Sequence, residues 1–191
     1  MTSGRLEAFS DAVIAIVMTI MVLELVPPHE PTLAALFERW PIFLAYFLSF
    51  AIIAIYWNNH HHLLQAAATV SGGVLWANML LLFWLSLIPF GTAWIGETQF
   101  ASIPMAVYGV VLLACAFSYG FLVTALMRAP GQTATLAEAL VNDLKGRISP
   151  YIYAAAIPIS FFAPYVSFVL YVLVAALWIV PDPRIERRIA G

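Results

Sequence analysis

"FSDAVIAIVMTIMVLEL", residues 9–25, decides the fold: it is apolar and long enough to cross a membrane, yet it carries Ser10 and Asp11 near one end and Glu24 near the other. The surrounding chain of 191 residues is 63% hydrophobic and 9% charged, against roughly 25% charged in an average soluble domain. This composition marks an integral membrane protein. The apolar residues come in long blocks, so the spans are expected to be helices and not the alternating strands of a barrel. No cleavable signal is expected, because the first block is too long, contains acidic residues and lacks a small-x-small site before Pro27. The single Cys115 lies within an apolar block and cannot form an intramolecular disulfide. A net charge of -2 without basic clusters gives no sign of nucleic-acid binding.

Working outward, the first span is read over about 6–26, stopped by Pro27 and Pro28, followed by spans over about 41–68, 74–95 and 104–127. Residues 128–147 form a polar connection with a short amphipathic stretch. Residues 148–180 hold Pro150, Pro158 and Pro164, and read either as one long helix or as two short ones hinged near Pro164. Charge chooses between them. With six spans and the N-terminus inside, Arg5, Arg128, Lys145, Arg147, Arg184, Arg187 and Arg188 are cytoplasmic and Arg39 alone is outside. Five spans would put the C-terminal arginines outside. The expectation is a multi-pass, all-α integral membrane protein in the lipid bilayer of the cell, with one domain over 1–191, six transmembrane helices and cytoplasmic termini; the last two helices are short and peripheral.

Asp11 admits two readings. As an N-cap it would leave a helix of about 15 residues, fewer than the ~20 a span needs. Inside the helix it must be paired or hydrated. Candidate partners are Arg5 and the cluster Asn58, Asn59, His60, His61 and His62 in the second span, with Asn78 at the same depth in the third. Pooled at one level, such groups could satisfy one another without water.

Other chemistry is sparse. Consecutive helical residues point about 100° apart, so at most two of the three histidines could share an ion, and no cysteine or carboxylate in that segment completes a set; no metal site and no cofactor are expected. There is no nucleophile with an adjacent base, no phosphate-binding glycine loop and no zinc-protease motif, so an enzyme is not expected. Glu24, Glu30, Glu38 and Glu97 fall at the outer boundary, as solvated rim residues or as a negative mouth that concentrates cations. Counting about 100° per residue from Ile16, Thr19, Ile20 and Leu23 share its face while Asp11 lies on roughly the opposite one. The Ile16 face therefore looks toward lipid, another span or a symmetry partner.

"RLEAFSD" (5–11) followed by "AVIAI", "YWNNHHH" (56–62) and "LWANMLLLFWLSLIPF" (75–90) resembles the prokaryotic members of the lysosomal potassium channel family called transmembrane protein 175. The resemblance implies a homotetramer whose first helices line a central pore for permeant K+ and other monovalent cations. It makes Ile16 the narrowest gate, with Ile20 and Leu23 as further apolar rings and Thr19 as a polar layer. It also implies that Arg5, Phe9, Ser10, Asp11, His60, His61, Trp76 and Asn78 form the network holding the pore helix; His62 has no clear counterpart. No T-V-G-Y-G-like stretch is present, so selectivity would come from dehydration at apolar rings rather than from backbone carbonyls. The alternatives are a small secondary transporter using Asp11 and the span-two histidines to carry a proton or cation, and an accessory membrane subunit.

Overall fold

The computed structural model describes residues 3–67, 69–129 and 144–179. Its described residues are helical throughout their regular structure: α1 (Ser3–Ile20) runs into a 3₁₀ turn (Met21–Glu24), then come α2 (Leu33–Phe37), α3 (Trp40–Gln65), α4 (Gly72–Leu85), α5 (Ile88–Glu97), α6 (Ser102–Met127), α7 (Leu144–Ile159) and α8 (Pro164–Ile179). Among the described residues, four helical segments are long and apolar enough to cross a membrane: Ser3–Glu24, Trp40–Gln65, Gly72–Glu97 and Ser102–Met127. These correspond to the first four spans read from the sequence. Residues 130–143 and 180–191, which hold most of the amphipathic connection and Arg184, Arg187 and Arg188, lie outside the described residues.

The apolar stretch beyond residue 147 is two helices, not one. α7 continues through Pro150 and Pro158 and ends at Ile159, and α8 starts at Pro164, where proline fits a first helical turn. Each has 16 residues, about 24 Å at 1.5 Å per residue and short of a ~30 Å bilayer core. Ser167 Oγ donates to Ala156 O at 2.7 Å and Tyr171 Oη to Met105 O at 3.1 Å, fastening α8 to α7 and to α6. Gly109 makes this possible, because a Cβ there would collide with Tyr171 Oη.

The third span breaks between α4 and α5, with Pro89 in the first turn of α5. Behind the break, α5 approaches its neighbours closely: a Cβ on Gly96 would stand 2.9 Å from Ile42 Cα, and one on Gly91 2.7 Å from the Tyr108 ring. Ser49 Oγ lies 2.7 Å from Tyr108 Oη and 2.6 Å from Thr92 Oγ1, joining α3, α5 and α6 through hydroxyls that have no water to turn to at this depth. The α5–α6 corner is tight. Phe100 N donates to Ile95 O at 3.0 Å and Gln99 N to Gly96 O at 3.4 Å, a Schellman arrangement. Gln99 and Phe100 take φ of 51° and 62°. Phe100 is buried against Trp40, Tyr165 and Phe168, and burial of a ring, worth about 1.5–3 kcal/mol, offsets the left-handed backbone.

Candidate functional site: the two faces of the first helix

α1 has one buried and one bare side. Leu6, Ser10, Ile14, Val17 and Met21 are buried at intervals of three or four residues, a stripe along one face of the helix. Phe9, Ile16, Ile20 and Leu23 are 48%, 57%, 44% and 73% exposed, and Arg5 and Thr19 are exposed or nearly so along the same side. The spacing 5, 9, 12, 16, 19, 23 alternates four and three, which keeps a stripe on one side of a helix. Ile16, Thr19, Ile20 and Leu23 thus share a face in the fold as in the sequence. The Thr19 hydroxyl bonds back to Ile16 O at 2.9 Å.

Polar contacts hold the buried side. His60 Nε2 donates to Asn78 Oδ1 at 2.7 Å, Asn78 Nδ2 donates to Ser10 Oγ at 2.9 Å, and Ser10 Oγ donates to Leu6 O at 2.8 Å. All three side chains are fully buried. The relay crosses α3, α4 and α1 because the start of α1, the end of α3 and the start of α4 meet at one end of the bundle. At the opposite end Arg39 Nη1 donates to Val26 O at 2.9 Å, joining the end of the first span to the start of the second.

Asp11 lies in the third turn of a helix that begins at Ser3, so it is not a cap. Its partner is Trp57, whose Nε1 donates to Oδ1 at 3.0 Å. Within the chain Arg5 does not reach Asp11: it is exposed, on the side of α1 that carries Phe9 and Ile16. The network expected from the sequence is therefore divided. Ser10, His60 and Asn78 come together inside the chain. Arg5, Phe9 and Trp76 lie instead around a surface groove with Leu75 and Met79, Trp76 being 78% exposed. Phe9 is offset from its neighbour Ser10 by about 100° round the helix, which carries it out of the core.

His61 faces α1. Glu7 Oε1 is 2.7 Å from its Nδ1, but out of line for a hydrogen bond, so the contact is an ion pair only when the ring is protonated. Its ring stacks on Trp57 at 5.8 Å and meets His62 edge-on at 5.4 Å. Asn58 is exposed, and Asn59 turns its amide to Ile55 O at 2.8 Å. Glu7 and Trp57 are the site residues that sequence reasoning missed. The available signal was Glu7 standing four residues before Asp11, one turn away on the same side of α1.

An α-helical membrane protein whose first helix is fixed on one side and left apolar and bare on the other is the class these features define. Residues 5–89 match the family model described as endosomal/lysosomal potassium channel TMEM175. A potassium channel of a Chryseobacterium strain is 49% identical over 187 residues, covering 98% of this chain and 97% of its own. A mouse relative named as an endosomal/lysosomal proton channel TMEM175 is 33% identical over 161 residues, 73% of this chain and 31% of its own length. The crystal structure of a lysosomal potassium-selective channel TMEM175 homolog from Chamaesiphon minutus superimposes with a TM-score of 0.83 at 29% identity, over 93% of this chain and 96% of that one. The chain belongs to the TMEM175 family, a family of ion channels and not of enzymes.

Proposed function

We propose that the protein is a potassium-permeable cation channel, a homotetramer in which four copies of α1 line the pore. The observation that carries this reading is the bare apolar stripe of α1, opposite a face locked by buried hydrogen bonds. In a lone chain the stripe would meet lipid. Around a fourfold axis, Ile16, Ile20 and Leu23 become apolar rings and Thr19 a ring of hydroxyls, while Arg5 and Phe9 continue the same face toward the start of α1, across a groove from Trp76. The names of the bacterial relatives support the ion, and the Chryseobacterium channel matches over almost the whole of both chains.

Conduction then needs no carbonyl filter. A narrow apolar ring repels water, so an ion crosses only when the ring widens and wets or when the ion surrenders part of its hydration shell. Potassium holds that shell less tightly than sodium, so the same barrier favours potassium, modestly. The polar relay keeps each α1 at a fixed rotation, and rotation decides which side chains form the rings. We assign the channel to the cell membrane with six spans, α7 and α8 being the short peripheral pair, and with cytoplasmic termini.

Purified protein in a planar bilayer under a potassium gradient tests the reading. Unitary currents reversing toward the potassium equilibrium potential are expected. Proton-coupled flux without unitary steps would favour the transporter, and no flux would favour an accessory subunit.

A further inference from the structure

We propose that Glu7, Asp11 and His61 form a binding site for a divalent transition-metal ion, with Zn2+ as the best match. Three consecutive histidines in one helical segment cannot complete a ligand set by themselves. The fold supplies what that segment lacks, bringing two carboxylates from α1 beside a histidine of α3. One ligand atom from each of Glu7, Asp11 and His61 lies within 4.8 Å of the others. Tetrahedral zinc, with ligands at about 2.0–2.2 Å, sets them roughly 3.3 Å apart. Small side-chain rotations achieve this, since all three residues are half-buried.

Three further observations point to a cation. The two carboxylates stand four residues apart on one helix, a spacing at which like charges repel. Among the described residues, the cationic group within ion-pair distance of these carboxylates is His61 alone, at Glu7, and no described arginine or lysine stands that close to either. His61 Nδ1 faces Glu7 without an aligned hydrogen bond, leaving its lone pair available when the ring is neutral. Trp57 Nε1 on Asp11 Oδ1 serves as an outer partner that orients the carboxylate and leaves Oδ2 for the ion. One imidazole with two carboxylates suits zinc and its transition-metal neighbours, whereas Mg2+ and Ca2+ prefer all-oxygen sets. A bound ion would release any proton on His61 and clamp α1 to α3.

The test uses the full-length protein in detergent, stripped with chelator and titrated with Zn2+ in calorimetry, then with Co2+ by visible absorption. One Zn2+ per chain is expected, undisplaced by millimolar Mg2+, with a tetrahedral or five-coordinate Co2+ spectrum. Glu7→Gln and His61→Gln should each weaken binding by at least tenfold, and His29→Gln, in the loop after the first span, should leave it unchanged. Because a variant could fail to fold, wild-type protein is also treated with diethylpyrocarbonate and mapped by mass spectrometry: Zn2+ should protect His61 and leave the reactivity of His29 as it was. Binding that survives Glu7→Gln and His61→Gln, absence of binding, or equal His61 modification with and without Zn2+ would overturn the site and leave Glu7–His61 an ordinary ion pair.

Discussion

Ser10, Asn78 and His60 form a relay in which each donor has one acceptor, and this arithmetic predicts how mutations combine. Ser10→Ala removes the acceptor of Asn78 Nδ2, and Asn78→Ala removes both that donor and the acceptor of His60. In a membrane interior one such bond is worth about 0.6 kcal/mol on average and up to about 1.7. Ser10→Ala should therefore cost about 1 kcal/mol and Asn78→Ala more, with the double variant costing less than the sum because the shared bond is lost once. Reversible unfolding in mixed micelles measures the cycle; strict additivity would mean the two side chains do not interact. The nearness of His60 and Asn78 was expected from the sequence because polar residues deep in apolar runs must find one another, while a place for Ser10 beside them was implied only by the resemblance. The Asp11–Trp57 and Glu7–His61 contacts were not expected, since they depend on the rotation of α1 against α3, which spacing along one chain does not fix. Arg5, considered as a partner of Asp11 from the same helix or from a neighbouring subunit, does not reach it within one chain, because six residues on a helix turn it well away.

At the scale of elements, the α5–α6 corner makes the sharpest prediction. Gln99 holds φ of 51°, a conformation that favours glycine. Gln99→Gly should raise stability by about 0.5–1 kcal/mol, the relieved strain exceeding the entropy glycine adds to the unfolded chain. Gly96→Ala should do the opposite, by about 1–3 kcal/mol, because its Cβ would meet the backbone of α3 at Ile42, which cannot swing aside. Thermal unfolding of each variant in the same detergent checks both signs. Span positions were readable because a membrane demands long apolar runs, whereas the prolines left one long helix or two open and the charge pattern chose two; proline alone does not break this stretch, since α7 holds Pro150 and Pro158 inside it. The Schellman corner has no glycine at its left-handed positions and left no mark in the sequence.

For the whole molecule, the proposed pore is lined by α1 from four chains around one axis. Native mass spectrometry of detergent-released protein should give a mass of four subunits, and monomers alone would remove the pore. Glu24 and Glu97 are the last residues of the first and third spans. If they concentrate cations at a mouth, Glu24→Gln and Glu97→Gln should lower conductance more at about 0.01 M salt, where the Debye length is ~30 Å, than at about 1 M, where it is ~3 Å. Equal reductions at both strengths would point to a structural effect.

The most direct measurement of the central claim is potassium and sodium flux into liposomes bearing Ile16→Asn. Val17, about 100° round the helix, is only 5% exposed, so its asparagine variant would report on folding. Val110 on α6, 46% exposed, is the matched control. At equal incorporation, Ile16→Asn should let water persist at the ring, raising potassium leak and eroding selectivity against sodium together, while Val110→Asn leaves both near wild type. Identical behaviour of the two variants would contradict a pore lined by this face of α1.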